Sequence, residues 1–230
     1  MTDKVKPRDI YVPPEKLLDK IGILDPEGKN LNPLNGKKYS NAYKNNINNS
    51  GKGVKEIYAP LTLYQNIEET IVGIYNHNPV ICRAPTGSGK TVILPKASLA
   101  VLNYNGRIAM TNPKKIPSIS AATFAAQTLD VELGKEVGYL YKGSPTGSYS
   151  PEETKLLFCT DGYIKAMMLG SDPLLESYDM IILDEVHERN TNIDILLLLL
   201  RRAILKRPTL RLILVSATID ENIYKNYFPD

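Results

Sequence analysis

Three short stretches of this 230-residue chain combine residue types that can act together chemically. The first is Ala-Pro-Thr-Gly-Ser-Gly-Lys-Thr, residues 84–91. Glycines at 87 and 89 let the backbone turn its N–H groups toward one point. A helix starting at Lys90 would add the positive end of its dipole. Lys90 can then reach the outer phosphates of a nucleotide, and the Thr91 hydroxyl can ligate Mg²⁺. Thr86, Gly87, Ser88, Gly89, Lys90 and Thr91 form the candidate phosphate-binding set. The second stretch is Asp-Glu-Val-His-Glu-Arg, residues 184–189, directly after the apolar run Met180–Leu183. A strand that ends in two acids makes a poor core and a good metal site. Asp184 would hold Mg²⁺ through its water shell. Glu185, which also belongs to the candidate metal set, can polarise an attacking water. The third is Ser-Ala-Thr-Ile-Asp, residues 216–220, whose Ser216 and Thr218 hydroxyls can hydrogen-bond to the acidic stretch.

The elements needed to position these residues are legible around them. Apolar runs of four to six residues alternate with helical patterns after residue 58. Val80–Cys82, Arg107–Thr111, Leu156–Thr160, Met180–Leu183 and Arg211–Val215 read as buried strands. Leu63–Tyr75, Lys90–Asn103, Pro117–Leu129, Gly162–Met168 and Asn192–Lys206 read as helices. Ile193, Leu196, Leu197, Leu200 and Ile204 fall at helical spacing on one face. Strands alternating with helices predict an α/β domain, a mostly parallel sheet covered on both faces. Ligands bind such sheets beyond the carboxyl ends of the strands, where the three stretches lie.

Composition sets limits on the rest. Apolar residues make up 43% of the chain, enough for one good-sized core, and the net charge is only +3, so any nucleic-acid surface must be local. Cys82 and Cys159 each end an apolar run and read as buried free thiols of a reducing compartment. The most apolar segment, Ile193–Leu200, contains Asp194 and stops at Arg201 and Arg202, too short to span a bilayer. The start of the chain has no signal-peptide pattern. Residues 1–57 are rich in Lys, Asn and Pro. Within them Pro14–Leu24 allows a helix, residues 25–40 carry turn signals such as Asn35-Gly36, and residues 41–53 read as a linker. The expected organisation is a poorly structured extension over 1–57 and one α/β domain over 58–230.

The three stretches in this order resemble the superfamily 2 helicases, and Asp-Glu-Val-His places the chain near the DEAH-box group. Further matches are Thr111-Asn-Pro-Lys-Lys115, residues 118–122, Val137–Gly143, Cys159–Ile164 and Pro95. The Lys- and Asn-rich flavour suggests the helicases of large DNA viruses. The resemblance covers residues 58 to 230 and implies a RecA-like P-loop NTPase domain, the first of two such domains. In this family Lys90, Thr91, Asp184 and Glu185 would serve ATP and Mg²⁺. His187, Ser216 and Thr218 would couple hydrolysis to strand movement. Thr111, Lys114, Lys115, Thr160 and Asp161 would line the nucleic-acid path. Lysines stand where the group carries paired arginines, which loses bidentate phosphate contacts and keeps the charge. Ala84 and Pro85 replace the more usual Gly-Glu. Phe124 replaces an arginine that stacks on adenine, and either stacks on a base in its place or belongs to the core.

The resemblance also implies a second RecA-like domain that supplies arginine fingers, and residues after Ser216-Ala-Thr do not provide one. The expectation is one half of a larger ATP-dependent helicase. Alone it would bind nucleotide weakly and hydrolyse it poorly. RNA is the leading partner. A DNA helicase or termination ATPase, or a nucleotide-binding assembly module without turnover, are the alternatives, and Glu185 speaks against the last. No membrane association is expected, and the location is cytoplasmic, or the virion for a viral source.

Overall fold

The computed structural model describes residues 31–38, 58–218 and 221–228. The possible helix at Pro14–Leu24 and the linker at 41–53 lie outside the described residues. Among the described residues no helix is long and apolar enough to cross a membrane.

Six strands form one sheet: β1 (Val80–Arg83), β2 (Ile108–Asn112), β3 (Val137–Leu140), β4 (Leu156–Thr160), β5 (Met180–Leu183) and β6 (Arg211–Ser216). Their order is β1-β6-β5-β2-β4-β3, and every pairing is parallel. Among the described residues seven helices connect and cover them: α1 (Thr62–Gln65), α2 (Ile67–Asn76), α3 (Lys90–Val101), α4 (Lys115–Leu129), α5 (Asp161–Leu169), α6 (Thr191–Lys206) and α7 (Glu221–Tyr227). A 3₁₀ turn, Val186–Glu188, follows β5. This is the α/β fold with a parallel sheet covered on both faces that the alternation of elements predicts, in the RecA-like form that the resemblance implies.

Side chains of successive strand residues point to opposite faces, so each strand feeds two cores. Met110, Phe158, Ile182 and Val215 pack under α2, α3 and α4. Ala109, Leu157, Ile181 and Leu214 pack under α5, α6 and α7. Helix α6 buries the stripe predicted for it, Ile193 to Ile204. Its N-terminus is capped by Asn190, whose Oδ1 accepts from Asn192 N and Ile193 N at 2.9 and 3.0 Å.

Four features differ from the sequence expectation. The predicted helix over 63–75 is two helices, because Asn66 ends α1 with its side-chain Nδ2 donating to Thr62 O at 2.9 Å. Strand β3 and helix α7 are additional elements. Cys159 is buried as expected, whereas Cys82 is only partly buried. Part of the expected extension also packs on the domain. Residues 31–38 make a tight turn with Gly36 at φ +70°, and Asn32 Nδ2 donates to Leu129 O at 2.7 Å and Asp130 O at 3.1 Å at the end of α4.

Helix α3 lies in the middle of its layer and is buried almost all round, including Lys96 at 1% exposure. The Lys96 amine donates to the Tyr58 hydroxyl at 2.7 Å and to Thr128 Oγ1 at 2.6 Å. Burial pushes its pKa down to about 7. In the unfolded chain a lysine titrates near its ordinary value of about 10.4. Between these two values the unfolded chain binds the extra proton, so stability rises with pH across that window and levels off above it. In urea titrations from pH 7 to 10, the native chain should gain stability relative to Lys96→Met. A difference independent of pH would contradict the lowered pKa.

Candidate nucleotide and nucleic-acid site

The loop between β1 and α3 has the conformation its glycines predict. Gly87 and Gly89 sit at φ +82° and +93°, a region closed to most side chains. A Cβ on Gly89 would also lie 3.0 Å from Leu61 Cδ1. Gly89 is the N-cap of α3, and its carbonyl accepts from Val92 and Ile93. Thr86 and Gly87 are exposed at the mouth of the loop, and Thr91 is partly buried. Ser88 is buried, and its Oγ has no hydrogen-bond partner. Lys90 is buried too, and its Nζ donates to Ala84 O at 2.9 Å. The amine is therefore folded back on the loop, held by one neutral carbonyl that an incoming phosphate would outcompete. Ala84 packs with Tyr58, Leu63 and Ile93. Its methyl group serves the core while its carbonyl serves Lys90.

The acidic stretch follows β5, two strands from the loop. Asp184 is 1% exposed, and its Oδ1 accepts from Glu185 N at 2.9 Å. Burial first, and then the Glu185 carboxylate, push the Asp184 carboxyl up to about 7, while Lys90 pulls the other way. Two neighbouring acids, one buried and starved of positive charge, fit a hard divalent cation. Mg²⁺ characteristically takes one or two carboxylates and completes its shell with water and phosphate oxygens. Glu185 adopts φ +53°, which turns its side chain away from that of Asp184 and into the 3₁₀ turn. Its Oε2 lies 3.3 Å from His187 Nδ1. The same nitrogen lies 3.0 Å from Ser216 Oγ at the end of β6, and Ser216 Oγ accepts from Thr218 N at 3.2 Å. The third stretch thus meets the second through His187. The Tyr224 hydroxyl on α7 donates to Val186 O at 3.4 Å and closes the turn from below.

The residues expected along a nucleic-acid strand divide into two groups. Lys114 and Lys115 are exposed at the start of α4, and Thr160 is partly exposed at the end of β4. The Lys115 amine lies 5.1 Å from the Tyr141 ring centroid and donates to Lys142 O at 3.4 Å. Lys142 is exposed as well, so it extends this basic edge. Thr111 and Asp161, by contrast, are buried, and their side-chain oxygens complete no hydrogen bond. Burial raises the Asp161 pKa, and the Thr111 and Asn190 side chains draw it back. These two side chains lie beneath the surface rather than along it. Phe124 is 42% exposed and belongs to no core cluster, which removes the core alternative for it.

Sequence reasoning passed over Asn190, Lys142 and Lys96. A helix-capping residue just before the periodic run of α6 was the available signal for Asn190. For Lys96 the signal was a charge inside an otherwise apolar helix.

A RecA-like sheet with a phosphate-type loop after β1, acids after β5 and hydroxyls after β6 defines a P-loop type of α/β domain. A family model described as DEAD/DEAH box helicase matches residues 65–226, and the chain belongs to that family. A protein of Acanthamoeba polyphaga mimivirus, described as a candidate ATP-dependent RNA helicase, is 42% identical over 91% of this chain and 29% of its own length. The ATP-dependent RNA helicase HrpA of Borreliella burgdorferi is 40% identical over 73% of this chain and 20% of its own. A DExH-box ATP-dependent RNA helicase of Arabidopsis thaliana is 31% identical over 90% of this chain and 22% of its own. The chain therefore spans between a fifth and three tenths of the length of these relatives.

Ala84 gives this site its first test. Ala84→Gly removes a buried methyl group and loosens the unfolded chain, and should cost roughly 1 kcal/mol of stability. Nucleotide affinity, measured by titration with a fluorescent ATP analogue, should stay within twofold of native. A large loss of affinity with unchanged stability would show that position 84 acts on the phosphates directly.

Proposed function

We propose that this chain is the ATP-binding half of an RNA-dependent motor, which in the full-length protein couples ATP hydrolysis to movement along RNA. The observation that carries this reading is the meeting of Lys90, Asp184, Glu185, His187 and Ser216 at the carboxyl ends of β1, β5 and β6, with His187 Nδ1 lying between Glu185 and Ser216. A module that only bound nucleotide would need the loop and not this second chain of contacts.

In the proposed mechanism the backbone N–H groups of residues 87–91 cradle the phosphates. Lys90 leaves Ala84 O for the outer phosphate oxygens. Thr91 and Asp184 would hold Mg²⁺, which supplies charge neutralisation at the phosphates. Glu185 orients the attacking water and accepts its proton. His187 links Glu185 to Ser216, so the state of the acid reaches the end of β6. Phe124 offers its exposed face to the base. Lys114, Lys115 and Lys142 take the sugar–phosphate backbone of the strand, with Thr160 beside them. Contacts of this kind position a strand without reading its sequence. RNA is preferred over DNA because the relatives' names describe RNA helicases. Competition between RNA and DNA of one sequence checks this through the 2′-hydroxyl.

The decisive experiment is Glu185→Gln in the full-length protein. ATP affinity should hold while hydrolysis falls on the order of 10²–10⁴-fold, the scale of one general base. Turnover at the native rate would remove Glu185 from this role and with it the motor assignment.

The basic edge makes a separate prediction. Each phosphate contact to a single strand contributes about 0.7 to the slope of log affinity against log salt. Lys114→Ala with Lys115→Ala should therefore flatten that slope by about 1.4, whereas Asp161→Asn should leave it unchanged. Equal slopes for native and double variant would place the strand elsewhere.

A further inference from the structure

The contacts proposed for the phosphates and the metal do not explain what holds the base platform in place. Phe124 rises from the third turn of α4 and is 42% exposed. The Lys96 amine lies over its ring, 5.9 Å from the centroid. That amine donates to Tyr58 and Thr128 and sits 4.9 Å from the Tyr58 ring centroid. Thr128 Oγ1 in turn donates to the Phe124 carbonyl at 2.8 Å, one turn back along α4. The Tyr58 ring packs against Ala84 and Ile93 of the phosphate loop and its helix, and meets the Tyr64 ring at 6.1 Å. One buried amine therefore joins three elements: the segment before α1, the helix that begins at the phosphate loop, and the turn of α4 that carries Phe124.

Space alone does not require a lysine here, since a methionine fills the same volume without desolvating an amine. What an amine adds is direction. Its two short hydrogen bonds fix Thr128 and Tyr58 relative to each other, and α4 cannot roll about its axis without breaking one of them. At the C-terminal end of the same helix, Asn32 Nδ2 holds Leu129 O and Asp130 O.

We propose that Lys96 is a positioning residue for the nucleobase, holding Phe124 at the depth and tilt at which its ring stacks on the base of a nucleoside triphosphate whose phosphates lie in the 84–91 loop. This rests on the nucleotide reading above. Stacking of this kind reads the face of the base and not its edges, so ATP and GTP are held alike.

The test compares ATP with inorganic tripolyphosphate, which has the phosphates and no base. Both compete against a fluorescent nucleotide on the full 230-residue chain with Mg²⁺. Lys96→Met and Phe124→Ala should each weaken ATP roughly tenfold, the scale of one base stack, and the double variant should be no weaker than either single one. Tripolyphosphate affinity should be unchanged in all three. Lys96→Gln, which keeps an N–H₂ donor one bond closer to the backbone, should recover part of the ATP affinity. Four results would overturn the proposal: native ATP affinity in Lys96→Met, an equal loss of tripolyphosphate, additive losses in the double variant, or no recovery with Gln. A native chain that binds neither competitor would overturn the nucleotide reading beneath it, an outcome distinct from all four.

Discussion

Parallel pairing of β1, β6 and β5 is the constraint on which the rest of the site depends. Arg83 pairs with Ser216 and Leu183 with Leu214, so the chain leaves all three strands at nearly one level. The backbone continues the pairing by one step, with Ala84 N donating to Ser216 O at 3.1 Å. A one-residue slip in any of these strands would send its exit to the opposite face. Asp184 would then leave the phosphate loop, and Ser216 would leave His187. The apolar residues that lock the register are ordinary core residues, yet they decide whether there is a site at all.

Helix α3 carries the second layer of organisation. It presents two buried lysines, six positions apart, in contrasting environments. Lys90 rests on a single carbonyl, a contact easily exchanged for a phosphate. Lys96 is held by two hydroxyls and lies over two aromatic rings. The same residue type thus serves once as a ligand group held in reserve and once as a fixed joint. Burial of each is tolerable because each amine has oxygen partners.

Much of this was legible in the sequence, for physical reasons that also explain the gaps. Strands such as Met180–Leu183 are short, wholly apolar and closed by acids, so both their existence and their functional end are visible. The break at Asn66 is not visible, because Leu63, Ile67, Ile71 and Ile74 keep helical spacing straight across it. Strand β3 contains Gly138, a weak strand former, which is required because a Cβ there would come within 2.9 Å of Ser148 O. Thr111 and Asp161 match a motif, but a motif does not report depth, and both side chains lie below the surface. The link from Tyr58 through Lys96 to Thr128 joins residues 38 and 32 positions apart, beyond the reach of periodicity.

His187 Nδ1 faces two partners at once. An imidazole nitrogen has either one hydrogen or one lone pair, so His187 Nδ1 can serve Glu185 or Ser216 and not both at full strength. At 3.3 and 3.0 Å the two claims are nearly balanced. Any motion that draws Ser216 closer releases the carboxylate, and any motion that withdraws it lets the ring capture the carboxylate. The end of β6 and the acid after β5 therefore compete for a single atom.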